Sequence, residues 1–483
     1  MKKLTDILKN TPVREVCGDT AAAIGGLVYD SRAVKPGDCF FAVPGTQSDG
    51  HDYIPIAVEK GAAAIVCERM PADAAEGVAY VLVGDSGAMA DMAAAFYDYP
   101  SRELKLVGIT GTNGKTTTAT LLYDLVRAMG YKAGLISTVV YKIDGREVEA
   151  THTTPDSIRL NAMMREMADA GCAYCFMECS SHAIVQERTR GLDFAGGIFS
   201  NITHDHLDYH KTFAEYIRAK KLFFDGLPKG AFALTNADDR NGRVMVQNTA
   251  AAVSAYSLRA MADFRCKIVE MHLDGMLLRI DGQELWVGLL GRFNAYNLLA
   301  VYGAAALLGL NRGEVLRVLS MLHAVSGRFE KIRAANGTTA IVDYAHTPDA
   351  LENVIQTIEE IRTPGQQLIV VCGCGGDRDR TKRPEMAAIA VKYATTAVFT
   401  SDNPRHESPE AILDDMVAGL EPGARYLRIA DRAEAIRTAV MLSRPGDIIL
   451  VAGKGHETYQ IVGDVKHPFD DREEIKKRFA LLN

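Results

Sequence analysis

The chain has 483 residues, of which 48% are hydrophobic and 24% charged, and a net charge of −7. That length suits a soluble α/β protein of two to four domains, and the negative balance offers no basic field to a nucleic-acid backbone. Asp6, Lys9 and Asn10 interrupt the N-terminal apolar pattern, so no signal peptide is expected, and no run approaches the ~18 apolar residues of a membrane span. A cytoplasmic monomer with no nucleic-acid or membrane partner is the expectation. The nine cysteines are scattered, as suits reduced thiols. Cys172, Cys175 and Cys179 in CAYCFMEC read as buried strand thiols, since a zinc site would need a further ligand pair.

In chain order, residues 1–99 form a small, Gly/Asp-punctuated region with strand candidates GLVYDS, DCFFAV and AAAIVCE, ending near Tyr99-Pro100. Residues 100–330 open with the apolar strand LKLVGIT and the helix TTTATLLYDLVRAMG, closed by Gly130. The strands AYCFMECSS and AGGIFSNIT follow, each ending in polar residues, as when a parallel sheet presents its carboxyl ends to a ligand. Residues 331–483 restart the alternation with strands TTAIVDYA, QLIVVCGC, TAVFTSD and DIILVAG and helices DALENVIQTIEEI and PEAILDDMVAGL. The expected architecture is three α/β domains: a small N-terminal one, a central mononucleotide-binding parallel sheet with a phosphate loop, and a C-terminal Rossmann-like doubly wound sheet.

Between the first central strand and its helix stands Gly111-Thr112-Asn113-Gly114-Lys115-Thr116-Thr117. A phosphate chain needs converging backbone N–H groups, a cation, and a hydroxyl for Mg²⁺; this strand–loop–helix supplies all three, with Lys115 toward the β/γ-phosphates and Thr116 toward the metal. The longer form of the loop has glycine where this chain has Ile109, so the loop is a shortened one. Glu178, at the end of the second strand, could add a hard carboxylate for Mg²⁺, although a strand-end Glu taken alone is more often a solvated or helix-capping residue. NITHDHLDYH crowds His204, Asp205, His206, Asp208 and His210 beyond the third strand, and spacing alone does not say which histidine matters.

The loop, followed in order by HTTPD, MECSSHA, NITHDHLDYH, YIRAKK, GRFNAYN, SGRFE, VDYAHTPDAL, GGDRDRTKR, SDNPRHESP and VAGKGHETYQ, resembles the Mur ligase family along nearly the whole chain. The resemblance implies three domains, for a UDP-sugar peptide, for ATP and for an incoming amino acid. It also implies that Glu178 and His206 bind Mg²⁺ and that Lys220, in YIRAK, is carboxylated on its side-chain nitrogen. A neutral amine that captures CO₂ becomes an anion able to orient metal or phosphate; read without the resemblance, Lys220 is an ordinary helix-surface lysine. Asn294 and Asn297 fall to the adenine, Arg328 to the phosphates and Asp343 to the ribose. The family usually has proline at the position of Ser326. The UDP-sugar peptide would meet Tyr29, Ser31, Thr46, Gln47, Ser48, Thr153, Thr154, Ser180, Gln186 and Arg188, whereas His152 stands where relatives often carry Asn and is left out.

Within the family, the motifs match the branch that adds meso-diaminopimelate. Asp402-Asn403-Pro404-Arg405 follows an apolar strand, and an arginine there offers a planar fork to the distal carboxylate that distinguishes meso-diaminopimelate from lysine. Arg378, Gly453 and Glu457 would complete that pocket, Glu457 facing an ammonium group. The implied reaction uses ATP to activate the γ-carboxylate of D-Glu in UDP-N-acetylmuramoyl-L-Ala-D-Glu as an acyl phosphate, which the amino acid's amine then attacks. A lysine-adding relative is the nearest alternative, and a folylpolyglutamate synthase a more distant one that YDSR and GTQSDG disfavour. From another class, a GTP-driven switch would carry an Asn-Lys-x-Asp signature, and none follows the loop.

Overall fold

The computed structural model of the chain describes residues 1–45, 48–203, 205 and 207–482. Its strands assemble into three main sheets that follow one another along the chain. The first has the spatial order Val13–Cys17, Ala79–Val83, Ala64–Cys67, Cys39–Ala42, Leu27–Val28, antiparallel only at the Val13–Cys17 edge. The candidate GLVYDS supplies just two residues of strand, because Asp30 caps the short 3₁₀ turn Ser31–Ala33 immediately afterwards.

The central sheet has eleven strands. Its middle is parallel, with Lys105–Thr110 between Tyr174–Glu178 and Gly196–Phe199, so the chain ends of all three strands open on one edge. The helix Lys115–Ala128 returns across the sheet on Leu121, Leu122, Leu125 and Val126, all fully buried. Burial of such side chains, each worth about 1.5–3 kcal/mol, holds the helix start against the strand end and so fixes the loop between them. Both margins are antiparallel: the hairpin Val140–Ile143/Arg146–Glu149 on one side and the meander Phe264–His272, Gly275–Ile280, Gln283–Val287 on the other.

The third sheet has the order Glu330–Arg333, Thr339–Asp343, Ile448–Ala452, Leu368–Cys372, Thr396–Phe399, Tyr426–Arg428, parallel except at Glu330–Arg333. Every residue of its four inner strands is buried apart from the partly exposed Thr396, which is why they read as continuous apolar runs. Asp343, Gly373, Asp402 and Gly453 therefore gather at one carboxyl edge. The expected α/β fold with a parallel core in the second and third domains is what forms. Cys172, Cys175 and Cys179 are buried free thiols, and burial pushes the last two far up in pKa. No cluster of three metal-binding side chains occurs among the described residues. Among them, too, no helix is long and apolar enough to cross a membrane.

Candidate active site

The carboxyl edges of the second and third sheets face each other. Asn113 Nδ2 in the phosphate loop donates to Asp349 Oδ2 at 3.0 Å, and Arg328 Nη2 donates to Thr116 Oγ1 at 3.1 Å. The loop is tied down from behind: Thr112 N donates to the Asn201 carbonyl at 2.8 Å and Asn113 N to Asn201 Oδ1 at 3.0 Å. Gly114 turns at φ 88°, where a Cβ would stand 2.5 Å from Asn297 Oδ1, so both conformation and space require glycine. Lys115 Nζ curls onto the carbonyls of Gly111 (2.9 Å) and Thr112 (2.8 Å), and burial lowers its pKa.

Lys220 departs from the surface position that its helical setting suggests. It is 1% exposed, donates to the Gly111 carbonyl at 2.8 Å, and lies 4.6 Å from the centre of the Tyr216 ring. Burial first, and Lys115 second, hold its pKa well below that of an ordinary lysine. Glu178 is also 1% exposed, which removes the solvated reading of that residue. Its Oε1 accepts from Thr138 N at 2.7 Å and its Oε2 from Thr138 Oγ1 at 3.2 Å. His206 lies outside the described residues, as do Thr46 and Gln47.

Around Glu178 the structure collects several residues that sequence spacing keeps apart. Thr154 Oγ1 donates to the Glu178 carbonyl at 2.7 Å and accepts from Ser180 N, while the hydroxyl oxygens of Thr138 and Thr153 lie 3.1 Å apart. Arg188 donates from Nη1 to the Thr154 carbonyl at 2.7 Å and from Nε and Nη2 to Gln186 Oε1. Tyr29 approaches from the first domain, half exposed, with its hydroxyl 3.5 Å from Asp156 Oδ2, while Ser31 is buried within that domain at the start of the turn Ser31–Ala33. Ser48 is exposed on the same domain.

Two cavities adjoin here, and one of them opens from the loop. One, of about 340 Å³, is lined by Asn113, Gly114, Thr117, Asn297, Arg328 and Asp343, with Phe293 and Tyr296 as aromatic walls. Asn297 reaches this cavity, while Asn294 stands behind it, donating to the Leu290 carbonyl and accepting from Asn297 Nδ2. Asp343 is buried with a raised pKa, and its oxygens accept from the N–H groups of Phe329 and Ala345, each at 2.7 Å. It therefore fastens the segment that carries Arg328.

The other cavity, of about 660 Å³, lies between the second and third domains and is lined by Thr153, His182, Arg378, Asp402, Asn403, Arg405, Gly453 and Glu457 among others. Arg405 has φ 50° and donates from Nη1 to the Gly376 carbonyl at 2.9 Å. Burial, then the neighbouring Arg378, lowers its pKa against the opposing charges of Asp402, Glu457 and Asp377. Arg378 donates to the Asp377 carbonyl at 3.0 Å. Pro404 is buried, and Gly453 turns at φ 116° where a Cβ would lie 2.6 Å from Asp402 Oδ2. Tyr344, His346 and Asp349 line both cavities, so the two are separated by a single wall.

This arrangement has known counterparts. Residues 23–97 match the Mur ligase family catalytic domain, 109–305 the Mur ligase middle domain and 327–455 the Mur ligase glutamate ligase domain. A UDP-N-acetylmuramoyl-L-alanyl-D-glutamate–2,6-diaminopimelate ligase of Phocaeicola vulgatus is 55% identical over 481 residues, 99% of each chain. The chain belongs to the Mur ligase family. A solved structure under the same enzyme name is 31% identical, with TM-score 0.72 over 100% of this chain and 99% of that one. The folylpolyglutamate synthase of Mycobacterium tuberculosis, solved with ADP and AMPPCP, shares the fold at 18% identity and TM-score 0.62, covering 75% of this Mur ligase and 91% of its own chain.

Sequence reasoning about this Mur ligase passed over Thr138, Asp349 and Lys454. Thr138 and Asp349 carry no unusual residue type and become visible only when the sheets bring Glu178 and Asn113 to them. Lys454 had a signal: a lysine two residues after the buried strand Ile448–Ala452 must either reach water or find a partner. It is 0% exposed and donates to Glu457 Oε2 at 2.7 Å and Asn403 Oδ1 at 3.0 Å.

Proposed function

We propose that the chain is an ATP-dependent amide ligase that joins meso-diaminopimelate to the γ-carboxylate of D-Glu in UDP-N-acetylmuramoyl-L-Ala-D-Glu, a step of peptidoglycan precursor synthesis. The observation that carries this reading is the wall shared by the two cavities, with the phosphate loop on one side and the Arg378/Arg405 guanidinium groups on the other. The relatives' shared enzyme name supports the same substrates. We assign the UDP-sugar to residues 1–99, ATP to 100–330 and the amino acid to 331–483. In cellular terms we read the enzyme as a cytoplasmic monomer.

In this reaction ATP transfers its γ-phosphoryl group to the D-Glu carboxylate, leaving ADP and an acyl phosphate. The amine of diaminopimelate attacks the carbonyl carbon, and the tetrahedral intermediate collapses to the amide with loss of phosphate and a proton. No protein nucleophile is needed. The work of the chain is charge neutralisation and positioning. Lys115 would release the Gly111 and Thr112 carbonyls to meet the β/γ-phosphates, and Arg328, already on Thr116, would follow the transferred group. The Thr153, Thr154, Ser180, Gln186 and Arg188 cluster would hold the peptide carboxylate within reach.

The donor set fits Mg²⁺: the Glu178 carboxylate and Thr116 hydroxyl are hard oxygen ligands, and His206 would join them. When bound, Mg²⁺ offsets phosphoryl charge. Lys220 fits carboxylation, because burial favours its neutral amine, whose nitrogen can bond to the carbon of CO₂ and release a proton. The test supplies purified protein with the UDP-dipeptide, ATP and one amino acid at a time. Amide product with meso-diaminopimelate is expected; product with L-lysine alone would overturn the specificity, and ATP turnover independent of the dipeptide would overturn the ligase reading.

A further inference from the structure

Glu457 is assigned above to a substrate ammonium, yet one of its two oxygens is already spent. Oε2 accepts from Lys454 Nζ at 2.7 Å and from Asn403 Nδ2 at 2.9 Å. Asn403 Oδ1 is likewise filled, by Lys454 Nζ at 3.0 Å and by the backbone N–H of Ile461 at 2.9 Å. A carboxylate or amide oxygen has two lone pairs, so neither atom has acceptor capacity left. What the pair can still offer the cavity is one N–H of Asn403 and the Oε1 atom of Glu457. The lysine that imposes this is 0% exposed and stands too deep to touch a ligand through a free face.

We propose that Lys454 is a positioning residue that sets the stereochemical selectivity of the amino-acid site. Resting on the proposed function, the inference is that Lys454 locks Glu457 so that an acceptor and a donor face the cavity at fixed, separate points. At the distal carbon of diaminopimelate an ammonium and a carboxylate leave the same atom, and inverting that carbon exchanges them. A fixed acceptor beside Asn403 N–H and the Arg405 fork accepts one arrangement and opposes the other. With Lys454 removed, Glu457 keeps its charge but loses its strongest tether, and its carboxylate can turn toward either arrangement. A buried pair that loses one partner also leaves an uncompensated charge, which itself favours movement toward solvent or substrate.

The experiment compares wild type with Lys454→Met in the full chain, measuring kcat/KM for meso- and for LL-diaminopimelate together with KM for ATP and the melting temperature. The expected result is at least a tenfold fall in the meso/LL ratio, with KM for ATP within twofold of wild type. Lys454→Arg, which keeps the cation, should recover part of the ratio. An unchanged ratio in Lys454→Met, whatever the loss in overall rate, overturns the proposal and leaves Lys454 a purely structural residue. If Lys454→Met is insoluble, Lys454→Leu, which likewise removes every donor to Oε2, is read by the same criterion. Failure of the wild type to use any diaminopimelate isomer would instead refute the proposed function, and so is distinct from failure of this inference.

Discussion

Lys220 and Lys115 place their Nζ atoms on the same carbonyl oxygen, that of Gly111, at 2.8 Å and 2.9 Å. Two ammonium groups on one acceptor repel, and the depressed pKa of Lys220 relieves that repulsion by favouring a neutral amine. A carbamate on Lys220 would relieve it further, replacing like charge with opposite charge. Lys220→Ala is therefore expected to lose at least 100-fold in ligase activity, with no recovery on adding bicarbonate. Wild type stripped of CO₂ should lose activity and regain it with bicarbonate. Rates compared in degassed and bicarbonate-supplemented buffer check this; full activity in Lys220→Ala would remove the carbamate from the mechanism.

Arg405 is held by its Nη1 on the Gly376 carbonyl, which leaves the rest of the fork for a ligand. Lysine at this position keeps a charge but not the two parallel N–H groups. Arg405→Lys should raise KM for meso-diaminopimelate about 10- to 100-fold, matching the ~1.5–3 kcal/mol of a charge-assisted hydrogen bond, and leave KM for ATP alone. Steady-state kinetics with each substrate varied separately decide it. Equal rises in both constants would place Arg405 in the fold rather than in recognition.

The buried parallel strands were legible because a strand covered on both faces must be apolar throughout, as in LIVVC and IILVA. The antiparallel margins were not. Val140–Ile143 and Phe264–His272 put every second residue or so toward water, and with Lys142, Arg265 and Lys267 among them no continuous apolar run announces a strand. At the site, the phosphate loop can be read locally because strand, loop and helix are contiguous. Lys220 cannot: its helix Phe213–Asp225 carries Arg218 and Lys221 beside it, and only docking of that helix under Gly111 distinguishes the buried lysine from the exposed Arg218 and the partly buried Lys221. The part played by Lys454 was hidden for a related reason, since Glu457 was read as a group for the substrate and its internal partner could not be seen.

His456 gives the fold a pH dependence. Burial, followed by the charges of Arg328, Arg472 and Lys454, lowers its pKa to about 3, and Nδ1 has no hydrogen-bond partner among the described residues. An unfolded chain protonates histidine near pH 6.5, so between about pH 6.5 and 3 the unfolded state binds the extra proton. Stability must then fall as pH falls, by up to about 1.4 kcal/mol per pH unit for this one group. His346 is shifted in the same direction, mainly by burial. Melting temperatures from pH 7.5 to 5 should decline in wild type and less steeply in His456→Gln. Parallel curves would show that His456 does not carry the effect.

Asp349 joins the two domains whose closure the reaction needs. From the first turn of the helix Pro348–Ile361 it accepts from Asn113 Nδ2 at 3.0 Å and from Thr203 Oγ1 at 3.3 Å, and it lines both cavities. Thr347 caps that helix by accepting from Ala350 N, so the carboxylate is free of capping duty and available to the phosphate loop. Hydrogen bonds to a charged group contribute about 1.5–3 kcal/mol, so losing this clasp should cost about 10- to 100-fold in the amino-acid-dependent step. Asp349→Ala is expected to bind a nonhydrolysable ATP analogue within tenfold of wild type while kcat falls by that larger factor, because the loop survives but its link to the third domain does not. Calorimetric titration of the analogue alongside single-turnover amide formation separates the two effects. Wild-type turnover in Asp349→Ala would mean that the remaining contacts, such as Lys331 Nζ on the Leu273 carbonyl at 3.0 Å, suffice to hold the domains in register.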